Sequence, residues 1–214
     1  MIVRADNVLY GMNSCKYIAM HATSSSGHIA ILEGDLASLN GKDRTDGCNQ
    51  MIQSKYPIFK TVEYATKWDT PTAVNDAKTA LSTYPDLRGI YVEWGAPEDG
   101  ILAAEQALGK LTPVGSSSHI ILVGNDGVPH EHALIRASQL DATISQPANS
   151  YAQYAVFYAR AALEGKTYTA GQTTDHNSTY VNLQGNLEDA LPAPVVDKAN
   201  VNDPNLWGNA KSGS

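Results

Sequence analysis

The sequence predicts an α/β domain built on a doubly wound, mainly parallel five-stranded sheet. Two observations carry that expectation. Short, continuously apolar runs such as Ile29–Leu32 and Ile120–Val123 read as strands buried on both faces, which parallel sheets require. These runs alternate with longer segments whose apolar residues recur at helical spacing, the order that builds parallel strands with crossover helices. With 214 residues, 43% of them hydrophobic and 17% charged, the chain is large enough to bury a substantial core.

The elements follow in order. Asn7 to His21 reads as a helix, with Val8, Met12, Cys15, Ile18 and Ala19 on one side and Asp6 or Asn7 as N-cap. A polar loop, TSSSG, leads into the strand HIAILEG, which ends at Gly34. A second helix is expected from Arg44 to Ser54, followed by the strand FKTVEYA. The next helix opens with Thr70 as N-cap and Pro71 at its first position. The strand LRGIYVEW, the helix after Pro97, the strand HIILVGNDG, the short helix EHALIRASQ and the strand LDATISQ complete the alternation. Ser150 to Glu164 reads as a helix apolar over much of its surface, and STYVNLQ as one further strand. From Glu188 on no periodicity is visible. The expected organisation is a lobe over 5–146, a crossover helix and return segment over 147–190, and a loose tail over 191–214.

Several function classes are disfavoured. The net charge of −7, with no basic run and no zinc-finger spacing, argues against nucleic acid as a partner. No apolar run approaches the length of a membrane span. The N-terminal MIVRADNVLYG lacks the charged and apolar regions of an export signal. Cys15 and Cys48 are too few for a metal site, and are either two buried thiols or one disulfide between neighbouring helices. The six histidines show no catalytic spacing: HEHA is not H-E-x-x-H, and Ser116–Ser118 form no nucleophile elbow. They read as solvated loop residues, and Glu98 and Asp99 as caps of the helix they open. No nucleophile with its base is evident, so neither enzyme activity nor a cofactor or metal is expected.

The candidate chemistry lies at the strand ends, because open α/β sheets bind ligands beyond the carboxyl ends of their strands. Asn40 and Arg44 follow the first strand and Trp68 the second; Trp94 ends the third, Asn125 and Asp126 the fourth, and Gln146 the fifth. Taken singly each is an ordinary surface, core or turn residue. Together they offer a planar cation, a carboxylate, amides and two indoles. That set suits a polyol, whose hydroxyls both donate and accept and whose C–H face an indole can cover. It suits phosphate poorly, for the turn after the first strand has neither a P-loop nor G-x-G-x-x-G.

The motifs ADNVLYG, GHIAILEG, GKDRTDG, YPDLRGIYVEW, LVGNDG and LDATISQPA, in this order, resemble the periplasmic sugar-binding proteins of ABC importers, the ribose- and galactose-binding type, over about Ala5 to Leu163. The resemblance implies two α/β lobes that close on a sugar by a hinge. It places Arg44 on the sugar-binding arginine, Asp126 on the carboxylate that accepts hydroxyl protons, Gln146 on the hinge amide and Trp68 on the stacking aromatic. Trp94 stands where ribose-binding members often carry a polar amide, a departure that suggests a second apolar wall. The resemblance further implies a monosaccharide or polyol ligand, an ABC permease partner and a periplasmic or cell-surface location for a full-length member. Against that pattern the chain reads as a truncated half-site: the C-terminal lobe plus a remnant of the other, with weak or absent sugar affinity. The helix over 150–164 would then pack on its own lobe or form a homodimer. The alternative is an effector-sensing module of a repressor-like regulator without its DNA-binding headpiece.

Overall fold

The computed structural model describes residues 1–210. Five parallel strands form the frame: β2 (Gly27–Glu33), β3 (Phe59–Ala65), β4 (Leu87–Val92), β5 (Ile121–Asp126) and β6 (Ala142–Ser145). Their spatial order is β3-β2-β4-β5-β6, so the winding reverses between β2 and β4 and opens a crevice at their carboxyl ends. Side chains alternate across the strands. Ile29 and Ile31 face α1 (Asn7–His21) and α2 (Leu39–Lys55); Ala30 and Leu32 face α3 (Thr70–Thr83), α4 (Glu98–Ala107) and α5 (Pro129–Arg136). These five strands are the ones the sequence predicts.

Helix boundaries shift where caps decide them. α2 begins at Leu39 rather than Arg44, because the Ser38 hydroxyl accepts the Asn40 N–H at 3.2 Å. α3 is capped by Asp69, not Thr70: its carboxylate accepts the Thr72 N–H at 2.9 Å. α1 and α2 cross backbone to backbone. A Cβ on Gly11 would collide with the Arg44 carbonyl, and one on Gly47 with the Val8 carbonyl. Cys15 and Cys48, a few residues along from these glycines, form a disulfide with Cα atoms 5.2 Å apart. The choice the sequence leaves open is decided by this close crossing.

A second, smaller sheet has the order β1-β8-β7, made of β1 (Ile2–Ala5), β8 (Asn186–Leu191) and β7 (Thr179–Leu183). Of these the sequence reading anticipates only β7. β8 escapes it because Glu188 and Asp189 look like solvent residues, yet both are buried and paired. Arg4 Nε donates to Glu188 at 2.9 Å, and the Tyr158 hydroxyl to Asp189 at 2.8 Å. α6 (Ala148–Leu163) buries Tyr158 and Ala161, and its Tyr151 hydroxyl accepts the Ala5 N–H of β1 at 3.1 Å. Val156, Phe157 and Leu163 stay exposed, and a groove of about 710 Å³ opens between α6, Met1, Val3 and Leu187.

The expectation of a loose tail over 191–214 is corrected for its described part. Val195–Asp197 forms β9, an antiparallel sixth strand on the β6 edge, and Val196 and Val201 are buried in the main core. Trp207–Asn209 forms a 3-10 turn. The short apolar pairs between Asn, Asp and Pro are core anchors whose partners lie far off in sequence. Residues 211–214 of that expectation lie outside the described residues. The histidine reading is corrected too: His132 is buried, and His119 pairs with Asp141 at 3.0 Å.

The disulfide closes a loop with a sequence separation of 33. Replacing Cys15 and Cys48 by serine should lower stability by about 2–4 kcal/mol in urea unfolding. Thiol labelling of the oxidised, denatured chain should find no reactive cysteine.

Candidate functional site

The crevice between β2 and β4 is floored by a buried guanidinium. Arg44 leaves the first turns of α2 and is 4% exposed. Its Nε donates to Asn7 Oδ1 at 2.8 Å, Nη1 donates to the Glu93 carbonyl, and Nη2 lies 3.7 Å from Asp126 Oδ1. The Tyr10 and Trp68 rings flank it, with centroids 4.9 and 5.7 Å from Cζ. Burying this charge is tolerable because hydrogen bonds, a carboxylate and two π-faces surround it.

The indoles meet beside it. Trp68 follows β3 in a left-handed turn, with φ of 63°. Its ring lies over Gly34 at the end of β2, where any Cβ would strike it. Trp94 meets Trp68 edge to face, with centroids 5.6 Å apart. Asp126 ends β5 with φ of 104°, and its Oδ1 accepts from Gln146 Nε2 at 2.8 Å. The Gln146 Oε1 in turn accepts from the Tyr151 hydroxyl on α6.

The structure therefore brings together Arg44, Trp68, Trp94, Asp126 and Gln146. It does not bring Asn40 to them. Asn40 is exposed in the first turn of α2, one turn before Arg44 on the same face, and its Oδ1 accepts from Arg4 Nη1 at 2.8 Å instead. Asn125 is adjacent but fully buried below the surface, donating to the Tyr91 hydroxyl and the Glu93 carbonyl, both at 3.2 Å. Asn125 thus supports the crevice from below. Sequence reasoning missed Asn7, Tyr10, Glu93 and Tyr151. Asn7 and Tyr10 look like parts of an ordinary helix start. For Glu93, the one signal was a carboxylate ending an apolar strand next to Trp94.

Beneath the crevice lie carboxyl groups that burial keeps protonated. The Glu93 carboxyl accepts from Gly34 N at 2.7 Å and from the Thr45 hydroxyl at 2.7 Å. Desolvation nevertheless pushes it up to about 8, opposed by those hydrogen bonds and by Arg44. Glu98 is not the helix cap expected from sequence. It makes no capping bond, is 1% exposed, and burial pushes it up to about 8 as well. Glu131, buried nearby under Gly124, is raised for the same reason and by Glu98 itself. Among the described residues no group of three or more acidic, histidine or cysteine side chains could hold a metal ion.

The crevice at the switch point thus gathers the Arg44 guanidinium, the Asp126 carboxylate and the indoles of Trp68 and Trp94. The model of the periplasmic binding protein domain matches residues 1–167. The chain belongs to this family. It is 26% identical over 144 residues to the D-allose-binding periplasmic protein of Escherichia coli strain K12, covering 67% of this chain and 44% of that protein. It is 25% identical over 174 residues to the ribose import binding protein of the same strain, covering 81% and 55%. This family member thus spans about half the length of the curated relatives it matches. Among solved structures it resembles an ABC transporter periplasmic solute-binding protein from Actinobacillus succinogenes 130z with bound D-allose. That match has a TM-score of 0.73 and 22% identity, covering 93% of this chain and 61% of the other. A solute-binding protein from Bacillus halodurans C-125 with bound myo-inositol matches with a TM-score of 0.71 at 22% identity, covering 95% and 62%. These two show a shared type I periplasmic binding fold.

The raised carboxyls give a signed pH dependence. A carboxyl that titrates at about 8 when folded, against 4.5 in its ordinary state, is protonated in the folded chain over that window and ionised in the unfolded one. Stability contributed by the neutral form is therefore complete below about 4.5 and is lost as pH rises towards 8. The midpoint of thermal unfolding should fall between pH 5 and pH 9, and Glu93→Gln, which mimics the neutral acid, should flatten that fall. A Glu93→Gln profile parallel to the parent's would show that Glu93 ionises normally.

Proposed function

We propose that this chain is the sugar-binding lobe of a solute-binding component of an ABC importer. It takes a monosaccharide or polyol in the crevice and, in a full-length protein, presents it to an ABC permease from the periplasm or cell surface. The observation that carries the reading is the meeting of Arg44, Asp126 and Gln146 with Trp68 and Trp94 at the switch point. Among the described residues the nearest acceptor to Arg44 Nη2 is Asp126 Oδ1 at 3.7 Å, so Nη2 can donate to a hydroxyl set between them. Among the same residues Asp126 Oδ2 receives one long bond, from Gly95 N at 3.3 Å, which leaves it lone pairs to accept with. Gln146 holds the carboxylate in place, and the two indoles supply apolar walls for the C–H face of a ring. The names of the relatives point to the same class of ligand. No finding favours the regulator reading.

A thermal-shift and NMR titration against D-allose, D-ribose and myo-inositol tests this. At least one of these should stabilise the chain at millimolar concentration, and no response to any of them or to related hexoses and pentoses would reject it. Arg44→Ala and Asp126→Ala should each weaken binding by about 2–4 kcal/mol, since each leaves a polar partner unpaired. That loss would take a millimolar ligand out of measurable range.

The bare side of α6 supports a second, self-association reading of the isolated chain. Tyr151, Ala155, Tyr158, Ala159, Ala162 and Tyr168 line the groove, and only Tyr158 and Ala161 of the helix are buried. Covering the apolar surface of this groove favours association at ~25 cal/mol per Å², before association costs. A homodimer through this face is expected by light scattering, and Ala159→Glu should return it to a monomer. A monomer at all concentrations would reject it.

A further inference from the structure

A residue that bonds the backbone of Asp126 comes from a segment with no evident role in the sequence. Asp126 has φ of 104°, a conformation that residues with side chains rarely adopt and that the surroundings must impose. Its carbonyl oxygen accepts two hydrogen bonds, from Gln146 N at 2.9 Å and from the indole Nε1–H of Trp207 at 2.8 Å. Trp207 is brought there by a strap across α5. Arg136 Nε donates to Asn202 Oδ1 at 2.9 Å and its Nη2 donates to the Val201 carbonyl at 3.0 Å, while Asn209 Nδ2 donates to that carbonyl at 2.8 Å. The strap lies against the turn itself: a Cβ on Gly208 would collide with the Gly127 carbonyl.

We propose that Trp207 is a positioning residue of the sugar-binding crevice, whose indole N–H locks the Asp126 carbonyl and so aims the Asp126 carboxylate at Arg44. The inference rests on the sugar-binding reading above and deepens it. A bond that fixes both the carbonyl and the backbone rotation of Asp126 also fixes where its Oδ1 stands, 3.7 Å from Arg44 Nη2. The Gln146 side chain pulls on the same carboxylate from the hinge side, so the strap and the hinge share one anchor. A tryptophan serving only to fill space would need its ring and not its N–H.

Trp207→Phe separates the two roles, because it keeps a flat ring beside Pro147 and Leu206 but cannot donate. Gly208→Ala, which lifts the strap off the turn, is the second variant should the first fail to fold. The sugar-free 214-residue chain is examined first, by 1H–15N spectroscopy. The Gly127 amide and the Arg44 Nε–H resonances should both move in Trp207→Phe, while the remote Gly109 amide should not. Unmoved Arg44 and Gly127 resonances in a folded variant overturn the proposal. Titration with D-allose and D-ribose follows. Trp207→Phe should weaken binding about 3- to 10-fold, the effect of losing one neutral hydrogen bond, and unchanged affinity also overturns the proposal. If the parent chain binds neither sugar, the transport reading fails separately, and the Arg44 and Gly127 resonances still decide whether Trp207 sets the Asp126 turn.

Discussion

Arg44 is the group around which the rest of the crevice is arranged. A guanidinium cannot shed its charge, so burying it obliges the fold to surround it with acceptors and π-faces. Asn7 and Tyr10 of α1, the Glu93 carbonyl, Asp126 and Trp68 come from four different segments to do so. The helices that carry Arg44 and Asn7 can approach closely only because Gly11 and Gly47 lack side chains, and the Cys15–Cys48 disulfide holds the crossing shut. Trp68 can lie beside the guanidinium only because Gly34 leaves room for its ring. The proposed binding surface and the packing of these helices thus draw on the same set of contacts.

The buried carboxyls show how the fold limits charge below that surface. Glu93 lies within reach of Arg44's field, yet desolvation outweighs it and the group stays protonated near neutral pH. Its carbonyl, not its carboxyl, serves the guanidinium. Asp126 is thereby left as the acid that meets Arg44 at the half-exposed rim. A neutral floor under one cation and one carboxylate favours an uncharged, hydroxyl-rich ligand over a phosphate or a carboxylic acid.

The two sheets meet through a small apolar cluster, in which Ala5 and Tyr10 pack with Ile144 and Ala193, and through a few polar links. Arg4 on β1 reaches Asn40 and Asp43 on α2 and Glu188 on β8, and the Tyr151 hydroxyl joins the Ala5 N–H to Gln146. The apolar side of α6 stays outside both cores, which is why association is expected there.

The sequence by itself determined the five parallel strands, the helices between them and the edge of the sheet where Arg44, Trp68, Trp94, Asp126 and Gln146 gather. Those features rest on local periodicity and on the rule that strand ends face the crevice, both readable from neighbours in the chain. Only the tertiary structure decided what depends on distant partners. Asn40 shares a face of α2 with Arg44 one turn earlier, and it stays apart from the others because Arg4 takes its amide oxygen. β8 forms despite two acids because Arg4, Tyr158 and His176 neutralise or bond them. The tail that looks unstructured becomes a sixth strand and a strap because Val196 and Val201 find a core, and Trp207 an acceptor, far from them along the chain. Periodicity records which face of an element is buried; it carries no record of which remote polar group will satisfy a charge, a carbonyl or an indole N–H.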